Sequence, residues 1–237
     1  MLANLLRRSG RSAVFCLLFI LADSAAAAGS QALAERLAKA APGLNAQVLE
    51  RAVSAMQCAI RHGAEPASRL AIIDFSLPSS QPRLWLFNLE SRTLVLQDFV
   101  AHGEGSGDNY ARSFSNTDGS HQSSLGLFRT SESYTGKHGY SLRMDGLESG
   151  INDKARARAL VIHAADYVAE SWIKDHGRIG RSQGCPAVRP EVARMVIDNL
   201  KGGQFLFSYY PDNHWLGTSA FLNCPANNEE KLLATVQ

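Results

Sequence analysis

The chain has 237 residues, 45% of them hydrophobic and 19% charged, a composition that supports one sizeable domain and excludes a disordered protein. Its formal net charge of +2 stems from Arg7, Arg8 and Arg11; without these and Asp23, positive and negative side chains balance. That balance excludes the basic surface on which nucleic-acid binding depends.

The first segment predicts export. Arg7, Arg8 and Arg11 form a basic stretch, Ala13 to Ala22 an apolar one, and Ala25 to Ala28 a run of small residues suited to cleavage. Residues 1–28 are therefore expected to be a signal peptide, which makes the protein periplasmic, with no stable membrane span after cleavage. Residues 29–65 predict a helical extension. Leu33 and Leu37 share one helical face, Pro42-Gly43 breaks that helix, and Asn45 caps a second helix running to about His62. Leu49, Val53, Met56 and Ile60 supply its apolar stripe.

Residues 66–218 predict a domain rich in short strands, followed by a tail over residues 219–237. Strands are expected at Leu70 to Phe75, Leu84 to Asn88, Leu94 to Val100, Leu125 to Thr130, Leu160 to His163 and Gln204 to Tyr210. The glycine-rich stretch from His102 to Ser124 predicts a long functional loop or lid. Asn152 predicts a cap for a short helix over Asp153 to Arg158. Pro190 opens another helix, which Gly202-Gly203 end. The sum is a mainly β, α+β fold. Of the cysteines beyond the signal, Cys58 and Cys224 are available to pair and leave Cys185 free; the alternative is that Cys58 is a small buried helix residue.

Cys185 carries the chemical signal. It lies in Gly180-Arg181-Ser182-Gln183-Gly184-Cys185-Pro186, behind a strand that ends in Val161-Ile162-His163. A thiol becomes a nucleophile as the thiolate, so it needs a base such as His163. His163 serves equally well as a core histidine bonded to backbone. Asp166 or a backbone carbonyl would orient its ring. Gly184 lets the backbone turn its N–H groups toward a developing oxyanion. Ser182 suits either turn chemistry or a bond to substrate. Arg181 and Arg178 flank the loop, where a cation lowers a thiol pKa or binds a carboxylate. His102, in His-Gly-Glu-Gly-Ser-Gly, is expected to line a cleft. The histidines lack zinc-ligand spacing, and neither His-Glu-x-x-His nor Gly-x-Ser-x-Gly occurs.

Taken in order, these pieces resemble the murein L,D-transpeptidase catalytic domain family, the YkuD-like enzymes of the cell wall. The resemblance is carried by Ile73-Asp74-Phe75-Ser76, Arg83-Leu84-Trp85, the run from Ala101 to Gly107 and Phe114-Ser115-Asn116. Ser124-Leu125-Gly126, the run from Tyr134 to Gly139, Val161-Ile162-His163 and the Cys185 loop complete it. It implies a YkuD-like fold, peptidoglycan stem peptides as partners, and no cofactor. It implies that Cys185 attacks a tetrapeptide stem, releases D-alanine, and passes the acyl group from a thioester to an amine of another stem. It further implies His163 as proton relay and backbone oxyanion donors near Gly184 and Cys185. Tyr134, His138 and Ser124 are the added cleft candidates. Three departures stand out. Gln183 replaces a loop histidine, whose role falls to His121 or His138 if to either. The interval from His163 to Ser182 is longer than usual. Pro186-Ala187-Val188 follow the cysteine, with Arg189 beyond, where an arginine or asparagine is usual. An L,D-carboxypeptidase or an inactive wall-binding protein are the alternatives. A papain-like protease is disfavoured, because its cysteine precedes its histidine.

Overall fold

A computed structural model describes residues 29–224. The expected signal segment and residues 225–237 lie outside the described residues. Residues 29–40 form α1, and α2 spans Ala46–Arg61. Asn45 caps α2 by accepting a hydrogen bond from the Gln47 N–H at 2.9 Å, which satisfies one of the helix's orphan donors. Leu49, Ala52, Val53 and Met56 are buried on its inner face.

The strands are β1 Arg69–Asp74, β2 Leu84–Asn88, β3 Thr93–Asp98, β4 Gly126–Gly136, β5 Gly139–Gly146, β6 Val161–Ala164, β7 Ala187–Val188 and β8 Phe205–Tyr209. They form a single sheet in the order β3-β2-β1-β8-β4-β5-β6-β7. Only β1 with β8 and β6 with β7 are parallel pairs. Three helices follow β6: α3 at Glu170–His176, α4 at Pro190–Leu200 and α5 at Asn213–Thr218. Pro190 occupies the first turn of α4, where its missing N–H costs nothing. The buried faces of α1, α2 and α4 join β1, β2, β4 and β8 in one hydrophobic core. The helices at residues 29–65 therefore share their core with the sheet. Phe75, Trp85, Phe207 and Trp215 are among its largest buried side chains.

The two edges of the sheet meet. Ala101, just past β3, bridges to Ala187 in β7 with an N–H···O bond of 2.8 Å. Beside that bridge, Arg189 donates two hydrogen bonds to buried Asp98, at 2.8 and 2.7 Å. Cys58 of α2 and Cys224 are joined by a disulfide, with Cα atoms 6.0 Å apart. This ties the segment after α5 to the helical layer.

Some elements differ from the sequence reading. Residues 151–159 are successive turns and not a helix. Asn152 does not cap a helix; its side chain donates to Leu125 O and Leu127 O and accepts from the Glu148 N–H. The demand of those buried carbonyls outweighs helix initiation there. β4 runs on to Gly136 and turns through Lys137 and His138 into β5, which the sequence reading missed. Gly139, paired with Gly136 across this two-residue connection, has φ +72°, a left-handed conformation that glycine adopts without strain. The short helix α3 was also missed; none of its seven residues is buried, so it carries no apolar stripe.

Candidate active site

The β6–β7 pairing sets the geometry. His163 pairs with Ala187 in parallel register, so Cys185, two residues before Ala187, lies level with Val161. The Cys185 sulfur accordingly accepts a bond from the Val161 N–H at 3.4 Å and faces Ala159 O at 3.8 Å. Burial pushes the thiol up, while the Val161 N–H and Arg158 pull it partly back. Cys185 is the free cysteine among the described residues.

His163 is almost fully buried. Its Nδ1 lies 2.8 Å from Ala164 O. A carbonyl only accepts, so Nδ1 carries the proton and Nε2 is the basic nitrogen. Burial holds the ring below the ordinary histidine value, and the nearby His138 adds to the effect. Of the two expected orienting groups, the carbonyl of Ala164 holds the ring. His138 sits at the hairpin tip and stacks on His163, with ring centroids 4.5 Å apart. Tyr134 pairs with Ser141 across β4–β5, and Ser141 pairs with His163 across β5–β6. Directly paired residues share a sheet face, so Tyr134 and His163 look out from the same side. Arg143 lies over the Tyr134 ring at 4.3 Å.

The loop before Cys185 is held from within. Ser182 Oγ donates to Cys185 O at 2.6 Å and accepts from the Gly184 N–H at 3.1 Å. The serine hydroxyl is thus spent on the turn, and so is the Gly184 N–H, which corrects the expectation that it faces an oxyanion. The N–H of Cys185 is the donor of that pair left outside this turn. Gly184 itself has φ +118°, a conformation that L side chains avoid. Its backbone lies against Gly103: a Cβ there would come within 2.8 Å of Gly184 Cα and collide with His121 O.

His102 is a second correction. It does not line a cleft but is fully buried. Its Nδ1 accepts from Arg83 Nη2 at 2.6 Å, and its Nε2 faces Gly107 O at 3.4 Å. Burial, reinforced by the Arg83 charge, lowers its pKa to about 3, so the ring is neutral. Ser124 is likewise engaged in the fold, donating to Ser115 O and accepting from Arg158. Arg181 donates to Gly107 O at 2.9 Å, and Arg178 pairs with exposed Asp108. Arg189, the cation beyond the cysteine, turns away to Asp98.

Three neighbours escaped the sequence reading. Ser123 links the loops by donating to Gly184 O and accepting from the Gly103 N–H, each at 3.0 Å. Tyr167 packs on Gly180, and burial together with the Cys185 charge raises its hydroxyl to about 12. Arg158 spans the 115–124 loop beside Gly184. Polar residues in turns carry no period, so only their nearness to Val161-Ile162-His163 and the Cys185 loop could have singled out Arg158 and Tyr167. A shallow depression of about 540 Å³ near Thr130, Glu132, Lys201 and Gly203 contains none of the expected site residues.

The parallel register of β6 and β7 thus brings a buried histidine with one committed nitrogen and a glycine-backed cysteine loop to the same end of a β-rich α+β sheet. The family model for the L,D-transpeptidase catalytic domain matches residues 40–209. The chain belongs to that family. No curated protein matches it. Among solved structures it is similar to an L,D-transpeptidase from Mycobacterium smegmatis at 12% identity and a TM-score of 0.38, over 61% of this chain and 59% of that one. It is similar to an L,D-transpeptidase from Stackebrandtia nassauensis at 12% identity and a TM-score of 0.36, over 73% of this chain and 74% of that one. The match therefore spans under two thirds of the Mycobacterium smegmatis chain. The family match, not these distant likenesses, carries the assignment. No helix among the described residues is long and apolar enough to cross a membrane.

Proposed function

We propose that this protein is a periplasmic peptidoglycan L,D-transpeptidase with Cys185 as nucleophile and His163 as general base. In this reading residues 1–28 direct export, residues 66–218 carry catalysis, and residues 29–65 and 219–237 flank them. The observation that carries the proposal is the His163 tautomer: Ala164 O holds the Nδ1 proton, so Nε2 is the basic nitrogen on a strand paired with the one that follows Cys185.

Nε2 takes the thiol proton as the sulfur attacks the stem carbonyl carbon. The Cys185 N–H donates to the oxygen that gains charge. The carbon–nitrogen bond then breaks, and the histidine proton leaves with the amine of D-alanine. A thioester remains. An amine of a second stem attacks it and gives its proton to Nε2, and the carbon–sulfur bond breaks to restore the thiol. Tyr134 and His138, on the same side as His163, are assigned to the stem; Arg181 flanks the loop.

Purified protein incubated with disaccharide-tetrapeptides and followed by mass spectrometry tests this reading, beside Cys185→Ala. Dimers lacking one alanine, absent from the variant, are expected. Tripeptide monomers alone would assign a carboxypeptidase, with water as acceptor. No product from folded protein would overturn the enzyme assignment and favour a wall-binding role.

A further inference from the structure

Gln183 leaves the Cys185 loop without the cation that a histidine there would offer. Neither substitute suggested by the sequence takes that place. His121 is exposed and paired with Glu104 at 2.7 Å, and His138 is stacked on His163. The side chain that does reach the loop is Arg158. Its Nη2 lies 3.6 Å from the point a Cβ on Gly184 would occupy. From Arg158 the chain runs straight into Ala159 and Val161, whose carbonyl and N–H contact the sulfur.

The hydrogen bonds of Arg158 define what it can do. Nη1 donates to Ser115 O at 2.6 Å and to Ser124 Oγ at 2.7 Å. Nη2 donates to Ser120 Oγ at 3.1 Å and to Gln122 O at 2.7 Å. The four terminal N–H groups are thereby engaged, so the fork is not open to clamp a substrate carboxylate. It is fixed in place, and its charge stays where the loop holds it.

We propose that Arg158 is a positioning residue of the cysteine site: it pins the 115–124 loop against Gly184 and keeps a fixed positive charge beside the Cys185 sulfur, so that position 183 needs no cation. The inference rests on Cys185 being the nucleophile. The charged and titratable groups that act on the sulfur are Arg158 from the turn before β6 and Tyr167 after it, with His163 on the strand paired to β7; Asp118 acts on Arg158 from the loop. Of these, Arg158 favours the thiolate and the others do not supply a fixed cation. Burial opposes ionisation of the thiol, so removing the nearby charge leaves that penalty less compensated.

The test is the pH dependence of Cys185 alkylation by iodoacetamide, read at that residue by mass spectrometry in the full chain with the disulfide intact. Arg158→Gln is expected to move the midpoint up by about one pH unit and to slow alkylation about tenfold at pH 7. Arg158→Lys, which keeps charge but loses the fork, is expected to stay closer to wild type. Ser124→Ala, which loosens the loop without touching charge, is expected to leave the midpoint in place. A folded Arg158→Gln with an unmoved midpoint overturns the proposal, as does Ser124→Ala moving it equally. Should Arg158→Gln not fold, Asp118→Asn decides. Removing this exposed opposing acid is expected to lower the midpoint, and no change overturns the proposal. Alkylation needs no peptide substrate, so this result stands apart from whether stems are cross-linked.

Discussion

His138 lies flat against His163, its ring 4.5 Å away and inclined by 29°. The tip of the β4–β5 hairpin thereby covers the proposed base. The contact matters electrostatically, because His138 adds a like charge to the burial that already holds His163 low.

Activity is expected to rise as His163 loses its proton, so its acid limb reports that pKa. His138→Ala removes the like charge and raises the His163 pKa. The limb of kcat/KM should move to higher pH by about half a unit. A pH–rate profile on tetrapeptide stems checks this; a limb that moves to lower pH would mean that the stack stabilises the protonated ring.

His102 predicts acid sensitivity. Its pKa is about 3 in the fold against an ordinary 6.5. The unfolded chain therefore takes up a proton that the fold refuses, and stability rises with pH across that interval. The contribution is complete above 6.5 and is lost as pH falls toward 3, amounting to about 5 kcal/mol at most. Urea unfolding of wild type and His102→Asn at pH 7.5 and pH 4 measures it. The variant should be less stable at pH 7.5, since Arg83 loses its ring partner, but should lose less on acidification.

Gly103→Ala tests the backbone packing beneath the cysteine loop. The added methyl would strike His121 O and press on Gly184, and backbone cannot yield as a side chain end does. At least about a hundredfold loss of turnover is expected from a displaced oxyanion donor. Wild-type turnover would show that the loop adjusts freely.

Asp98 and Arg189 close the sheet. Arg189→Ala strands a carboxylate that is 1% exposed and is expected to cost roughly 3 kcal/mol. The double variant Asp98→Asn, Arg189→Gln should recover part of that loss, since no charge is then left buried alone. Thermal melts of the single and double variants decide this.

The Cys58–Cys224 disulfide spans 166 residues, so it restrains a large part of the unfolded chain. Cys58→Ala is expected to lower stability by about 2–4 kcal/mol. Wild type under reductant should fall toward the variant, with little effect on turnover, because the bond joins α2 to the segment after α5 and not the cysteine loop.

The apolar strands and capped helices were legible because they bury a face: β1, β2, β8 and α2 fall close to their expected bounds. β5 was missed although Tyr140, Leu142 and Met144 alternate with polar neighbours, because glycine and charged residues interrupt the apolar pattern around them. Cys185 and His163 were singled out by residue type and order, and the parallel register of β6 and β7 brings their segments together. What their surroundings do was not legible. His102 looks like a cleft residue in sequence, yet Arg83 and Gly107 O draw it inside. Ser182 suits turn chemistry and substrate binding equally in sequence, and the turn takes its hydroxyl. Such assignments depend on partners distant in the chain, which local pattern does not encode.

Because β6 and β7 run parallel, the chain must leave the sheet after His163 and return before Ala187. The crossover carries α3, none of whose residues is fully buried, although Ile173 packs against the small core cluster around Val168 and Ile179. Buried Val168 and Ile179 anchor the two ends of the crossover, while the ladder between the strands sets the register of His163 against Ala187. Residues inserted within exposed α3 are therefore expected to leave the register of His163 against Ala187 in place, as rope is paid out between two fixed posts.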